Sequence, residues 1–250
     1  MANGLRLLPE VTFFSRPMYT EEIESNGFAV IRNVLDPRVV AELVDQLARI
    51  PRSNATKQRG DSYFGIRNLL SIAPFVHDLS CSPGIQSIVE PLVGTNAQIV
   101  RGIFFDKTPE ANWKVAWHQD LTIAVQNKRE IAGFKCWTQK AGITHVQPPA
   151  SVLEKMLALR LHLDDANETT GALKVIPGSH KYGRLSATDI DRVRREKQPV
   201  VCSVESGGAL AMRPLLLHSS SLSSAGLHRR VIHLEFSGGH LPGGLEWHRS

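Results

Sequence analysis

The amino-acid sequence predicts a mainly β fold, an antiparallel sandwich or barrel with helices packed outside it. Helical patterns gather in residues 1–96, and short strand-like segments separated by Gly, Pro and Asn turns dominate from about residue 97 onward. This order differs from the alternating strands and helices of a parallel βαβ protein. The chain also lacks G-x-G-x-x-G and G-x-x-x-x-G-K-[ST] motifs, so common nucleotide-binding loops are not predicted.

Length and composition favour one domain. The chain has 250 residues, of which 42% are hydrophobic, and this is enough for a sizeable core. No linker, low-complexity run or repeat divides it, so we expect a single domain over residues 1–250. Its apolar stretches are too short to span a bilayer, and "MANGLRLLPEVTFFSRPMYTEE" lacks the apolar region of a signal peptide. We therefore expect a soluble, cytoplasmic protein with no membrane contact.

Net charge indicates the kind of ligand the protein binds, and the cysteines indicate the state of its thiols. The net charge is +5, but the densest basic run, "DRVRREK" at 191–197, contains its own acids and is typical of a solvated helix face. Nucleic-acid binding is therefore disfavoured, and an anionic small molecule suits the charge better. Cys81, Cys136 and Cys202 form no C-x-x-C pair, so we expect reduced, mostly buried thiols without a zinc site.

Four segments carry helix signals. In "LDPRVVAELVDQLARI", Asp36 is placed to cap the helix and Pro37 to occupy its first turn. In "SPGIQSIVEPLVG", Ser82 is the expected cap, Gly94 the stop, and Pro91 is expected to end the regular helix early. Two further helices are predicted near "PASVLEKML" and "SATDIDRVRREK".

The strand signals follow in the second part of the chain. They combine β-branched and aromatic residues with Gly and Pro punctuation. The segments are "AQIVRGIFFDK", "VAWHQDLTIAV", "LALRLHLDD", "GALKVIPGSH", "VVCSVESGGALAMRPLLLHSS" and "RRVIHLEFSG". Together they predict a β core over residues 97–240, interrupted by an insertion at about 129–156.

The stretch "WHQDL" at 117–121 carries the strongest chemical signal. In a strand, residues two apart share a face, so His118 and Asp120 point to the same place. Alone, the two side chains could simply form an ion pair. His218 ends the apolar strand "LLLH" and can supply a second imidazole. Two imidazoles and one carboxylate form a ligand set that leaves positions of a ferrous ion open.

An arginine follows the second histidine at a fixed interval. Arg229 lies eleven residues after His218, and its planar guanidinium suits two-pronged binding of a carboxylate. Arg230 is the alternative, but neighbours on a strand point to opposite faces. Ser220 could add a hydroxyl to the same carboxylate, or could only satisfy its Ser-rich turn.

The H-x-D motif, the distant histidine and the arginine resemble the phytanoyl-CoA dioxygenase family of Fe(II)/2-oxoglutarate oxygenases. "GALKVIPGSH" and "EIESNGFAVIRNVLD" are similar to segments of that family, and the resemblance is strongest at 97–236. It implies a double-stranded β-helix (jelly roll, cupin-like) core. It also implies Fe(II) on His118, Asp120 and His218, and 2-oxoglutarate bound through its C5 carboxylate to Arg229.

The resemblance also implies a reaction. In the family, 2-oxoglutarate is oxidatively decarboxylated to succinate and CO2 with O2 as the other co-substrate, and a substrate C–H bond is hydroxylated. Related halogenases have a small residue in place of the carboxylate ligand, so Asp120 favours hydroxylation. The strand before "GALKVIPGSH" departs from the family, because Arg160 stands where many members have an aromatic residue near 2-oxoglutarate.

Other candidate site residues are predicted around this centre. Ile103 and Phe105 could wall the co-substrate pocket or belong to the plain core, and Lys107 is expected to be solvated. Trp137, in the insertion, could be part of a lid or only packing. Family layout suggests Tyr63 and Arg67 at the substrate entrance. Together with the basic charge, Arg160 favours a small carboxylated or phosphorylated substrate.

Two other classes compete with the oxygenase hypothesis. One is a non-catalytic β-barrel that binds a metal or a ligand, and the other is a cupin-like isomerase or hydrolase using another divalent metal. A simple metal binder has no need of a carboxylate clamp such as Arg229. A cupin-like enzyme usually places more histidines at the centre than this sequence does.

Overall fold

The computed structural model describes residues 17–51, 56–59 and 62–248, excluding the side chains of 56–59 and 62–64. Its helices are α1 (Met18–Asn26), α2 (Pro37–Ala48), α3 (Leu69–Ile72), α4 (Pro74–Ser80), α5 (Pro83–Val93), α6 (Ala150–Leu153) and α7 (Ala187–Glu196), with 3₁₀ turns at Ser179–Tyr182 and Pro242–Gly244. Its strands are β1 (Phe28–Ile31), β2 (Thr56–Arg59), β3 (Ser62–Ile66), β4 (Gln98–Lys107), β5 (Val115–His118), β6 (Ile123–Val125), β7 (Lys135–Lys140), β8 (Ile143–Gln147), β9 (Met156–His162), β10 (Leu173–Val175), β11 (Val200–Val201), β12 (Ala209–Met212), β13 (His218–Ser220) and β14 (Arg229–Ser237).

The strands form three antiparallel sheets. The major sheet has seven strands in the order β1-β12-β9-β14-β4-β3-β2, and the minor sheet has four in the order β11-β10-β13-β5. A third sheet has three strands in the order β6-β8-β7. Of these, β7 and β8 lie in the region predicted as an insertion, and β6 precedes it. The described residues form no closed barrel. The mainly β prediction with flanking helices is confirmed, and the core is a jelly roll.

The two faces of the major sheet have different neighbours. On β9, Leu157, Leu159 and Leu161 belong to the apolar core formed with helices α2 to α5. Ala158, on the other face, packs with Leu173 of the minor sheet. Because strand side chains alternate between faces, Arg160 is also directed between the two sheets. One face of the major sheet therefore faces the inside of the sandwich, and the helices cover the other face.

The predicted helices α2 and α7 begin as their sequences indicate. The Asp36 carboxylate accepts a 2.8 Å hydrogen bond from the backbone N–H of Arg38. Ser186 and Asp189 form a reciprocal capping box at the start of α7, satisfying backbone donors that have no partner within the helix. Ser82 occupies the cap position of α5, but its side chain makes no capping bond.

The expectation that Pro91 ends α5 early is wrong. The helix continues through Pro91 to Val93. Proline has no N–H to donate to the carbonyl four residues earlier. That carbonyl, on Ser87, instead accepts a 3.0 Å hydrogen bond from the Tyr19 hydroxyl. A contact from α1 thus replaces the missing helical bond.

The described residues before β4 are mostly helical but also supply strands β1, β2 and β3, and β1 pairs with β12 in the major sheet. One other expectation needs correction. The cysteines are free, but Cys81 and Cys136 are exposed and only Cys202 is buried. Among the described helices, none has the length and apolarity needed to cross a membrane.

Candidate metal centre and cavity

The two predicted histidine ligands are cross-strand partners. His218 of β13 pairs in register with His118 of β5, and their ring centroids are 4.2 Å apart. The Asp120 carboxylate lies 3.6 Å from His118 Nε2 and 3.7 Å from His218 Nε2. One donor atom from each residue lies within 4.8 Å of the others. This group can bind one metal ion.

Backbone carbonyls fix which ring nitrogen of each histidine faces the centre. His118 Nδ1 lies 2.9 Å from the Ala116 carbonyl oxygen, and His218 Nδ1 lies 2.8 Å from that of Leu216. A carbonyl can only accept, so each Nδ1 carries the hydrogen and donates it. Each Nε2 therefore faces Asp120 and, once its ring is neutral, offers the lone pair that a metal requires.

The charges at this centre also favour a cation. Burial raises the pKa of Asp120, but the charge of His218 and the hydrogen bond from His118 outweigh it and hold the pKa well below its usual value. Burial lowers the pKa of His218 to about 4. At neutral pH the group is therefore an ionised carboxylate beside a neutral His218, and both can act as ligands.

These residues open on a cavity of about 350 Å³ between the sheets. Its described lining residues include five Arg and Lys side chains and two carboxylates, Asp120 and Glu235. The major sheet contributes cations along one face of β4, β9 and β14. Because Arg229 and Glu235 are six residues apart on β14, they are separated by about 20 Å.

Arg229 and Arg230 have opposite surroundings. Arg230 forms hydrogen bonds of 2.8 and 2.6 Å with Asp164 through Nε and Nη2. Arg229 lines the cavity and is only 3% exposed, and its Nε and Nη1 have no hydrogen-bond partner. Burial lowers the pKa of Arg229 to about 9. Buried donors without a partner are costly, and these two nitrogens are free to donate to a ligand in the cavity.

Lys107 is a site residue that the sequence prediction missed, since it was expected to be solvated. Its side chain is completely buried and lies in register opposite Arg229. Its Nζ donates to Ser220 Oγ at 2.9 Å and to the Ser221 carbonyl at 2.6 Å. Burial, and then the charges of Arg229 and Arg160, lower the pKa of Lys107 to about 7.

Ser220 connects this lysine to the cavity. Its hydroxyl lines the cavity, accepts the hydrogen bond from Lys107 and donates one of 2.8 Å to the Gly171 carbonyl. The hydroxyl hydrogen is therefore engaged with Gly171. Ser220 and Arg229 line one end of the cavity, with Lys107 behind Ser220, and we call these three residues the buried end.

A chain of polar contacts runs from the middle of the cavity to its other end. Arg160 donates through Nη1 to His233 Nδ1 at 3.0 Å. His233 Nε2 lies 3.2 Å from Glu235, which also accepts a 3.0 Å hydrogen bond from Arg101. The charge of Asp120 acts on Arg160, so the candidate metal group lies across from the middle of this chain. Arg160 thus points into the cavity.

The remaining candidates divide into three groups. Ile103, Phe105 and Arg67 line the cavity, and Phe105 lies beneath Arg160 with 5.7 Å between its ring centroid and the guanidinium carbon. Trp137 packs against a separate apolar cluster and is not among the cavity-lining residues. From the same strand, Lys140 lines the cavity instead. The side chain of Tyr63 lies outside the described residues.

Comparison with known proteins agrees with this architecture. The family profile "Phytanoyl-CoA dioxygenase (PhyH)" matches residues 23–231. The chain therefore belongs to the phytanoyl-CoA dioxygenase family. Phytanoyl-CoA dioxygenase domain-containing protein 1 of Danio rerio is 26% identical over 172 residues, which are 63% of this chain and 51% of that protein. The chain thus matches about half the length of this relative.

Solved structures show the same fold at low sequence identity. AviO1 from Streptomyces viridochromogenes Tue57 has a TM-score of 0.64 and 23% identity, covering 90% of this chain and 94% of its own. EctD from S. alaskensis with 2-oxoglutarate and 5-hydroxyectoine has a TM-score of 0.68 and 15% identity, covering 87% and 74%. At these identities the likeness shows the fold.

Proposed function

We propose that this protein is an Fe(II)- and 2-oxoglutarate-dependent dioxygenase. It hydroxylates a small anionic molecule and releases succinate and CO2. One observation carries the proposal: the His118, Asp120 and His218 group shares a cavity with Arg229, whose buried guanidinium nitrogens lack partners. A metal centre beside an unpaired carboxylate-binding group matches the needs of 2-oxoglutarate, which has a chelating end and a distal carboxylate.

His118, Asp120 and His218 would hold the iron. Two imidazoles and a carboxylate suit ferrous iron and leave positions open for a co-substrate and O2. When bound, the iron supplies the redox chemistry that couples decarboxylation of the keto acid to oxidation of the substrate. The Ala116 and Leu216 carbonyls, by fixing the ring orientations, preorganise the ligands before the ion arrives.

The buried end would bind the C5 carboxylate of 2-oxoglutarate. Arg229 provides donors without competing partners, and Lys107 adds a second positive charge behind Ser220. Ile103 and Phe105 line the same cavity, and Arg229 itself is only 3% exposed. In such a dry site a charged hydrogen bond is stronger than it is in water. Arg160, held by His233, adds positive charge at the middle of the cavity.

An anionic substrate is favoured by the cavity's charge. Five basic side chains and two carboxylates line it, and both carboxylates are already engaged by histidine or arginine. Excess positive charge in a cleft concentrates anions. We also propose that residues 1–250 form one oxygenase domain, since β1 to β3 complete the major sheet, and that it functions in the cytoplasm.

The test is anaerobic titration of the Fe(II)-loaded protein with 2-oxoglutarate. Chelation of the keto acid produces a weak visible charge-transfer absorption, which we expect in the wild type. His118→Ala should abolish iron binding and therefore the band. Arg229→Ala should retain iron but need far more 2-oxoglutarate. If the wild type binds iron and gives no band, the proposal fails and a different metal function is indicated.

A further inference from the structure

The end of the cavity that lies away from Arg229 contains a second group of cations. Arg67 follows β3, Arg101 belongs to β4, and Lys140 ends β7. All three line the same cavity and are only partly buried. We call these three residues the cationic rim. Two core strands and the inserted hairpin β7–β8 supply one residue each.

The hairpin is held in place by specific local geometry. Ala141 and Gly142 both have positive φ angles, 51° and 78°, and so form the two-residue turn that best suits a hairpin. The Asn68 side chain donates a 3.3 Å hydrogen bond to the Ala141 carbonyl. The residue after Arg67 is therefore bonded to the residue after Lys140. This hydrogen bond between their neighbours holds Arg67 and Lys140 close together.

Only part of the rim's charge is neutralised by the protein. Arg101 donates to Glu235 at 3.0 Å, and Glu235 also contacts His233. Within the described part of the chain, Arg67 and Lys140 form no ion pair. Burial and then the charges of Arg101 and Arg67 lower the pKa of Lys140, so both guanidinium groups act on the Lys140 ammonium. With Glu235 counted, the rim retains a charge of about +2.

From this arrangement we infer that the cationic rim is a subsite for a dianionic oxyanion on the prime substrate, a phosphate monoester. This inference rests on the proposed oxygenase function and names its substrate class. Two guanidinium groups can each donate two parallel hydrogen bonds to phosphate oxygens, and Lys140 adds a point charge. A phosphate held there leaves the rest of the substrate extending along the cavity towards Asp120 and the histidines.

Inorganic phosphate is the probe, titrated calorimetrically into metal-free protein without 2-oxoglutarate at constant ionic strength. We expect Lys140→Gln and Arg67→Gln each to weaken phosphate binding roughly tenfold, as loss of a charged hydrogen bond predicts. Lys140→Arg should restore it. Arg195→Gln, an exposed position on α7, should leave the affinity unchanged. Thermal melting confirms that each variant is folded.

Arg229→Gln identifies which end of the cavity binds the probe. The inference requires that this variant keep wild-type affinity for phosphate. It is overturned if Arg229→Gln loses phosphate while Lys140→Gln retains it, or if all variants bind equally. Because the assay contains neither iron nor keto acid, it is independent of the charge-transfer test. If the visible band appears but phosphate does not bind at the cationic rim, only the inferred substrate class is rejected. If phosphate binds at the rim but no band appears, only the proposed oxygenase function is rejected.

Discussion

The cations at the two ends of the cavity differ in their access to water. At the buried end Lys107 is 0% exposed and Arg229 is 3% exposed, whereas Arg67 and Lys140 at the rim are only partly buried. A buried charge without a partner is expensive, and a solvated one costs little. The buried end is therefore suited to one particular ligand whose binding offsets the free-energy cost of burying these charges. The rim is suited to a ligand that keeps part of its contact with water.

The difference between the two ends of the cavity predicts that substitution of Arg229 has the largest effect on ligand binding. Arg229→Gln should raise the dissociation constant of 2-oxoglutarate by roughly 100-fold, because a desolvated charge contact is lost. Lys140→Gln, the matched change at the rim, should leave that constant unchanged. Anaerobic titration of the visible band measures both. Equal effects from the two variants would contradict the division into a co-substrate end and a substrate end.

Lys107→Met should produce a smaller loss at the same end. We expect roughly tenfold weaker 2-oxoglutarate binding, because a charge behind Ser220 is removed. The ligand-free protein should be as stable as the wild type or more so, since an apolar side chain of similar size replaces a buried charge. Urea unfolding checks the second part. A marked loss of stability would show that Lys107 has a structural role instead.

The same lysine predicts a pH dependence. Its folded pKa of about 7 lies below the ordinary value of 10.5, so the folded protein loses this proton before the unfolded chain does. The contribution of Lys107 to stability therefore rises with pH between these values. Bound 2-oxoglutarate favours the charged form, so its affinity should fall as pH rises from about 6 to about 8. In Lys107→Met this dependence should flatten; an identical slope in the variant excludes Lys107 as its source.

The smallest effect should come from the hairpin contact. Asn68 has a φ of 57°, so Asn68→Gly preserves the backbone conformation while removing the hydrogen bond to Ala141. We expect phosphate affinity to fall about threefold, since one neutral hydrogen bond contributes modestly. The 2-oxoglutarate affinity should not change. Calorimetric titration with each ligand measures both affinities. An equal loss of affinity for phosphate and 2-oxoglutarate would contradict the idea that the two ends of the cavity bind their ligands independently.

Local sequence patterns predicted much of the candidate site. The strand that was expected to carry both residues of the H-x-D motif ends at His118, and Asp120 lies two residues beyond it. The structure nevertheless brings His118 and Asp120 together with His218, as the sequence predicts. Strand alternation separates Arg229 from Arg230. Alternation needs only neighbouring residues, whereas assigning the distant His218 to the same site depends also on the family resemblance.

The features that the sequence did not reveal depend on distant partners. Lys107 is buried because it pairs with Arg229 and meets Ser220, over a hundred residues later. Pro91 is tolerated in α5 because Tyr19 supplies the missing donor. The third cation of the rim depends on how the hairpin β7–β8 docks against Asn68. No period or cap signal in these segments encodes such long-range contacts.

The register pairing of His118 with His218 has a consequence for the protein's durability. β5 is a four-residue strand at the edge of the minor sheet, joined to the fold through β13. An ion bound by both histidines acts as a cross-link between these strands. Its binding stabilises the folded state by an amount that grows with the logarithm of the free ion concentration relative to its dissociation constant. The supply of metal in the cell would then control how readily β5 unfolds, as well as the catalytic rate. Iron-starved protein should exchange its β5 amide hydrogens first and be degraded from that edge.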